Sequence, residues 1–154
     1  MKIVSEDQIQ KVLDPGIAFS AVEGVFQSME STAWNFPVIR EALHYQDALY
    51  GFKSGFDPQS RALGLKAGGY WPNNEARGIP NHQSSIFLFD SDTGECKAML
   101  GGNTITALRT AAASAVSIHH LAVESPGTLG LIGSGFQSYF QLEAALRIRK
   151  FDTV

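Results

Sequence analysis

The stretch TLGLIGSGFQS, residues 128–138, carries the signal that decides the fold. Its apolar residues Leu129, Leu131 and Ile132 predict a short buried strand, and the glycines that follow permit a tight turn. Apolar residues then recur at helical spacing from residue 140 to 148, which predicts a helix directly after the turn. A glycine turn between a strand and a helix is typical of the first unit of a Rossmann nucleotide-binding domain.

The turn is expected to hold the pyrophosphate of a dinucleotide on its backbone. Free N–H groups at a helix start and the positive end of the helix dipole both stabilise a phosphate. The third small position of the pattern is Ser138, where Gly or Ala is more usual. A Gly-x-Gly sequence alone also fits an ordinary strand-to-helix connection, so the flanking strand and helix decide for the dinucleotide. The residues of this candidate cofactor site are Gly133, Ser134, Gly135, Phe136 and Gln137.

The acidic residue that binds the ribose is expected about 20 residues after the glycines. Val154 precedes that position, and Asp152 falls where a second strand would begin. The choice between NAD and NADP therefore stays open.

Composition restricts the class of protein. With 154 residues, of which 44% are hydrophobic, the chain can form one globular core. A net charge of −3 and a pI near 5.7 leave no basic stripe for nucleic acid. No apolar run approaches the roughly 18 residues of a membrane span, so a cytoplasmic location is expected. The single Cys96 excludes an internal disulfide and a cysteine-cluster metal site.

Before the turn, two helices precede a mainly antiparallel sheet. Ser5 and Gln8 form a capping-box pattern, and apolar periodicity predicts a second helix over residues 16–29. The predicted strands cover residues 37–41, 48–53, 62–67, 84–89 and 97–100. The turn-rich residues 90–95 predict a hairpin between the last two strands.

Two further segments connect these elements. Residues 68–83 are too polar and too broken for a regular element, and a loop of this length is often functional. An alanine-rich helix is predicted to begin near Thr104 or Thr106 and to link the sheet to the glycine turn.

Three cationic residues are candidate anion ligands. Arg109 is predicted in the first turn of the alanine-rich helix, where an anion would gain from the guanidinium and from the helix terminus; the alternative is an arginine that extends into solvent. Lys66 lies between Gly64 and Gly68 on one strand face, which leaves room for a small ligand; the alternative is a solvent-facing lysine. Arg40 is a third candidate, although a surface charge beside Glu41 is the commoner outcome.

The histidines are interpreted as structural. His82 and the pair His119 and His120 lack acidic and histidine partners at the spacing of a metal site, so no metal is predicted. A serine nucleophile is excluded because Gly133-Ser134-Gly135 is one residue too short for a nucleophile elbow.

Together, four motifs resemble the ornithine cyclodeaminase/mu-crystallin family. They are GLKAGG (64–69), GIPNHQSSIFLFDSDTGECKAMLGGN (78–103), TALRTAAASA (106–115) and GLIGSGFQS (130–138). The resemblance implies an α/β protein: an α+β substrate and dimerisation domain at residues 1–105, a connecting helix at 106–125, and the first βα unit of a Rossmann NAD(P)-binding domain at 126–154.

The resemblance also implies roles for individual residues. Lys66 and Arg109 would hold the carboxylate of a small amino or imino acid and act in catalysis, with Arg109 also near the nicotinamide. Arg40 resembles an early carboxylate-binding arginine of the family. Asn81 falls at a polar position near the cofactor, and the turn at residues 133–137 falls beside the pyrophosphate.

The implied function is NAD(P)-dependent chemistry at the α-carbon of the substrate, of the ornithine cyclodeaminase, alanine dehydrogenase or cyclic-imine reductase type. The alternative is a non-catalytic protein of mu-crystallin type that binds NADPH and a small ligand. Family members form a dimer through the first domain and supply a catalytic aspartate after the position of Val154. The 154-residue chain is therefore expected to be an inactive fragment of a homodimeric enzyme.

Overall fold

The computed structural model describes residues 1–31 and 34–154. The chain divides into two compact units. The first comprises Met1–Val12 and Gln27–Thr104, and the second comprises Leu13–Phe26 and Ile105–Val154. The sequence-based boundary at residue 105 coincides with the start of the long piece of the second unit, whereas residues 13–26 were expected in the first domain. The functional boundaries of the domains stay a prediction.

The first unit is built on a seven-stranded sheet. Its spatial order is β1-β7-β6-β5-β4-β2, and β3 also pairs with β4. Among the described residues of this sheet, β1 pairs with β7 in parallel and the other strand pairings are antiparallel. The strands are β1 (Lys2–Val4), β2 (Trp34–Asn35), β3 (Ile39–Ala42), β4 (Leu49–Asp57), β5 (Ala62–Tyr70), β6 (His82–Phe89) and β7 (Cys96–Gly101).

The predicted antiparallel sheet is confirmed, and four of its five predicted strands are longer than expected, whereas β3 is shorter. Strand β5 extends to Tyr70 and β6 begins at His82, which shortens the predicted loop at residues 68–83. A 3-10 turn at Glu75–Arg77 lies inside that loop. The predicted hairpin between β6 and β7 is present, and the Asp90 carboxylate accepts backbone N–H groups within its turn.

Two short segments at the start of the chain complete this unit. Helix α1 (Glu6–Val12) begins at the predicted capping box, because Ser5 N–H donates to Gln8 Oε1 at 2.9 Å and Gln8 N–H donates to Ser5 Oγ at 3.3 Å. Strand β1, which the sequence analysis missed, pairs with β7. Both segments therefore fold against residues that follow them by more than 90 positions.

The second unit consists mainly of helices: most of α2 (Pro15–Ser31), most of α3 (Asn103–Leu121) and α4 (Phe136–Ile148). Its core is formed by small side chains of α3 and α4, because alanines allow the two helices to approach closely. The buried residues are Ala111, Ala115 and Ala144, packed against Phe19, Phe140 and Ile148. No helix among residues 1–31 and 34–154 has the length and apolarity to cross a membrane.

The buried strand predicted at Leu129–Ile132 is not observed as a regular element. Thr128 forms one parallel bridge with Thr153, and Leu129 N–H donates to the Thr153 carbonyl at 2.9 Å. Leu131 and Ile132 are exposed. A parallel strand is buried only where neighbouring strands and helices cover both faces. In the described chain a single short segment pairs with it.

Candidate functional site

Lys66 lies in the middle of the sheet of the first unit, on β5. It stands directly opposite Lys53 of β4 on one side and Ile86 of β6 on the other. Gly64 and Gly68 share its strand face, as predicted, because side chains alternate between the two faces. The half-buried lysine therefore rises from a part of β5 without neighbouring side chains on that face.

Arg40 lies on the same face of the sheet as Lys66. Its partner on β4 is Gly51, which in turn pairs with Gly68 of β5. A Cβ at Gly51 or Gly68 would collide with a backbone carbonyl of the adjacent strand. Glycine is therefore required at the two positions that follow Arg40 across β4 and β5, in the row next to that of Lys66. The Arg40 guanidinium is exposed and forms no ion pair or hydrogen bond within the described chain.

Asn81 holds the loop that precedes β6. Its Oδ1 accepts the Glu75 N–H at 3.0 Å, and its Nδ2 lies 3.4 Å from the Tyr70 hydroxyl. Its carbonyl accepts the Trp71 N–H at 2.8 Å. In this structure Asn81 fixes the 3-10 turn at Glu75–Arg77 against the end of β5.

Arg109 does not lie in the first turn of α3, so that expectation is wrong. The helix begins at Asn103, which places Arg109 seventh in the helix. The N–H groups of Asn103 and Thr104 donate to the two carboxylate oxygens of Glu6, at 2.6 and 3.1 Å. A residue from the start of the chain therefore already occupies the helix terminus at which an anion had been expected.

The guanidinium of Arg109 is nevertheless available to a ligand. It forms no hydrogen bond or ion pair with residues 1–31 or 34–154, and the residue is only partly covered by its neighbours. Partial burial lowers the pKa of Arg109 from its ordinary value, but an arginine remains protonated at neutral pH. The group is a permanent, unpaired planar cation, which suits a carboxylate.

The glycine turn has the geometry of an anion cradle. Gly133 has φ +104°, a conformation that side chains rarely adopt, and Gly135 precedes α4 without any side-chain cap. The backbone N–H groups from Gly133 to Gln137 have no partner among the described residues. A helix of 13 residues then aligns its dipole with this end. The turn therefore fits the pyrophosphate of a dinucleotide.

Gln137 adds an unusual feature to this turn. Its Oε1 atom is buried and lacks a hydrogen-bond partner among the residues described. A buried polar atom of this kind is costly unless a further group donates to it.

Two arrangements were missed by the sequence analysis. Lys53 stands opposite Lys66, and a correct register for the hairpin between β4 and β5 would have revealed it. The His119 and His120 pair was said to lack an acidic partner, but Glu23 Oε1 lies 2.8 Å from His120 Nε2. Glu23 precedes the pair by more than 90 residues, so no local spacing could have indicated this contact. Each of the three side chains offers one potential metal-ligand atom, and these three atoms lie within 4.8 Å of one another.

The candidate residues are divided between the two units. Arg40, Lys66 and Asn81 belong to the first, and Arg109 and the glycine turn belong to the second. The sheet face that carries Arg40 and Lys66 is thus one candidate ligand site, and the glycine turn before α4 is the other. A sequence profile of the ornithine cyclodeaminase/mu-crystallin family matches residues 9–154, and the chain belongs to this family.

Individual relatives, compared by sequence and by structure, support this assignment. The chain is 56% identical over 155 aligned positions to the iminosuccinate reductase of Paracoccus denitrificans, covering 100% of this chain and 48% of that protein. The structure of that enzyme in complex with NAD+ superposes with a TM-score of 0.91, over 98% of this chain and 47% of the other. The chain thus spans about half the length of the relatives it matches.

Two more distant structures share the fold. The Δ1-pyrroline-2-carboxylate reductase of Thermococcus litoralis, in complex with NADH and L-proline, gives a TM-score of 0.93 at 28% identity, with 98% of this chain and 47% of that chain covered. An archaeal alanine dehydrogenase dimer with bound NAD gives a TM-score of 0.88 at 27% identity, with 96% of this chain and 45% of that chain covered. These structures confirm the predicted fold class and the predicted class of cofactor.

Proposed function

We propose that the whole protein is an NAD(P)-dependent reductase that converts the C=N bond of a small α-imino acid into an amine. Its leading candidate substrate is iminosuccinate, with aspartate as the product. The observation that carries this proposal is the 56% identity to an iminosuccinate reductase across the whole chain. An imino acid carries at least one carboxylate, which agrees with the unpaired guanidinium groups of Arg40 and Arg109.

The glycine turn is proposed to hold the cofactor. The free N–H groups from Gly133 to Gln137 would donate to the pyrophosphate, and φ +104° at Gly133 keeps the turn open to it. NAD is favoured over NADP because related structures contain NAD+ or NADH. When bound, the reduced nicotinamide supplies a hydride to the α-carbon while the imine nitrogen takes up a proton.

Lys66 and Arg109 are proposed to hold the substrate α-carboxylate and so to fix the α-carbon. The planar fork of Arg109 can bind both oxygens of one carboxylate, which orients it as well as attracting it. Arg40, on the same face as Lys66, is proposed as an additional carboxylate ligand. Asn81 is proposed to act at the cofactor side by keeping the loop at residues 71–81 in place.

The assembly and location of the protein are proposals as well. The archaeal alanine dehydrogenase is a dimer, which supports a homodimer. We propose that the homodimer forms through the first unit, as the resemblance to the family implies. We propose a cytoplasmic location, where free nicotinamide dinucleotides are available to an enzyme of this kind.

The test uses protein expressed from its complete reading frame. Oxidation of NADH is followed by absorbance with oxaloacetate plus ammonium, which generate iminosuccinate, and with pyruvate plus ammonium and Δ1-pyrroline-2-carboxylate. We expect turnover with iminosuccinate. Dinucleotide binding without turnover of any imine would favour the non-catalytic alternative instead. The 154-residue chain is expected to be inactive because it covers only 48% of the related enzyme.

A further inference from the structure

Three cations share one face of the sheet in the first unit. Lys53 and Lys66 stand directly opposite each other across β4 and β5. Arg40 pairs with Gly51, two residues before Lys53, and is therefore diagonal to Lys53. Directly opposite residues have Cβ atoms about 5 Å apart, and diagonal ones about 7–8 Å. The three positive charges therefore lie within the reach of one small ligand.

The lysines of β4 and β5 place two like charges at one register position. Like charges directly opposite each other destabilise a pair of strands. Lys53 is exposed and, like Arg40, forms no hydrogen bond or ion pair within residues 1–31 and 34–154. Lys53 therefore carries a charge that no described residue neutralises, at a position where it faces a second lysine.

The residues that flank the two lysines on their own strands carry no side chain on this face. The positions that flank Lys53 on its own strand face are Gly51 and Gly55, and those that flank Lys66 are Gly64 and Gly68. Close contacts with adjacent strands exclude a Cβ at Gly51, Gly55 and Gly68. The two lysines are consequently the only side chains rising from these stretches of β4 and β5 on this face.

A single carboxylate held by Lys66 would leave a second cation facing it. We propose that Lys53 is a specificity-determining residue that binds the second carboxylate of a short imino dicarboxylic acid. This inference rests on the proposed function, since it assumes that Lys66 holds the α-carboxylate. It extends that function by assigning the distal carboxylate to a residue on the opposite strand.

The test compares wild type with Lys53→Met, expressed from the complete reading frame. For iminosuccinate we expect the variant to raise KM about 10-fold or more, the effect of losing one charged hydrogen bond, with a smaller change in kcat. For the imine formed from pyruvate, which has one carboxylate, KM should be unchanged. Lys53→Arg should retain most of the affinity, and Lys11→Met, an exposed lysine on α1, is the control.

A second measurement does not depend on turnover. Succinate should protect wild type against thermal unfolding more than acetate does, and Lys53→Met should lose this difference. If wild type reduces no imine, the proposed function fails, and the succinate experiment still decides the role of Lys53. Unchanged KM for iminosuccinate together with unchanged succinate protection in Lys53→Met would overturn the inference.

Discussion

Glu6 caps helix α3, which begins 97 residues later, through a 2.6 Å hydrogen bond from the Asn103 N–H to its carboxylate. The other carboxylate oxygen accepts the Thr104 N–H at 3.1 Å. The negative charge also faces the positive end of a 19-residue helix. The start of α3 is therefore satisfied by a side chain from α1 rather than by a ligand.

Removal of this cap should destabilise the protein. We expect Glu6→Ala to lower the free energy of unfolding by about 1–3 kcal/mol, because the N–H groups of Asn103 and Thr104 lose a charged acceptor. Urea titration followed by circular dichroism measures the change. Asp7→Ala, an exposed acid in the same helix, is the matched control and should change stability by less than about 0.5 kcal/mol. Equal effects of the two substitutions would contradict the capping role.

Arg149 performs the corresponding task at the other end of α3. Its guanidinium donates to the carbonyls of His119 at 2.7 Å and Ala122 at 3.5 Å, and its Nε donates to Val123 at 3.2 Å. Arg149→Met should lower the melting temperature and cost about 1–3 kcal/mol. The neighbouring exposed Lys150, changed to Met, should have little effect; a comparable loss in both variants would argue against the cap.

Gly133 can be tested against a glycine three positions earlier. Both Gly130 and Gly133 have open space where a Cβ would be, but only Gly133 has a positive φ, +104°. Gly133→Ala should therefore cost about 1–3 kcal/mol in backbone strain and weaken NADH binding, measured by nicotinamide fluorescence. Gly130→Ala should bind NADH like wild type. Normal affinity in Gly133→Ala would show that the turn does not contact the cofactor.

Arg109 should act through its planar fork and not only through its charge. Arg109→Lys retains the charge but loses bidentate binding, so we expect kcat/KM for the imine to fall about 10- to 100-fold, with NADH affinity changed less. Steady-state kinetics with protein from the complete reading frame measure the loss. Full activity in Arg109→Lys would assign the residue a purely electrostatic role.

Asp90 makes the stability of the β6–β7 hairpin dependent on pH. Hydrogen bonds from the backbone N–H of Thr93, then of Asp92, and then from Lys97 lower the pKa of this carboxyl. A carboxyl whose pKa is lowered in the folded state stabilises the fold at pH values above its unfolded-state pKa of about 3.9. This contribution is lost as the pH falls from there through the folded-state pKa. The stability difference between wild type and Asp90→Asn should therefore shrink between about pH 6 and about pH 2.

Chemical denaturation at each pH measures that difference. Glu95→Gln, in the same turn but without a side-chain hydrogen bond in the described chain, should show no comparable trend. A difference between wild type and Asp90→Asn that stays constant with pH would contradict the assignment.

Local patterns predicted the local structure well. The capping box at Ser5 and Gln8, the hairpin turn at Asp90 and the alternation around Lys66 depend on neighbours within a few residues, and all three are present. The motifs also identified the family, which the sequence profile confirms over residues 9–154.

The main errors concern partners distant in the chain. Thr104 and Thr106 were favoured as caps of α3 because they are local, whereas the actual cap is Glu6. The contact between Glu23 and His120 has the same separation and left no periodic signal. The apolar character of Ile132 predicted a buried strand, but Ile132 is exposed. A strand is buried only when other strands and helices pack over both of its faces, and its own sequence does not supply them.

The parallel ladder of β1 with β7 has a kinetic consequence. Residues 2–4 pair with residues 98–100, so the sheet closes on its first strand only after a loop of more than 90 residues has been brought together. Loop closure costs entropy that increases with loop length, and such long-range pairings slow folding. During synthesis, residues 2–4 leave the ribosome well before residues 98–100, so β1 remains without its partner strand until β7 has been made.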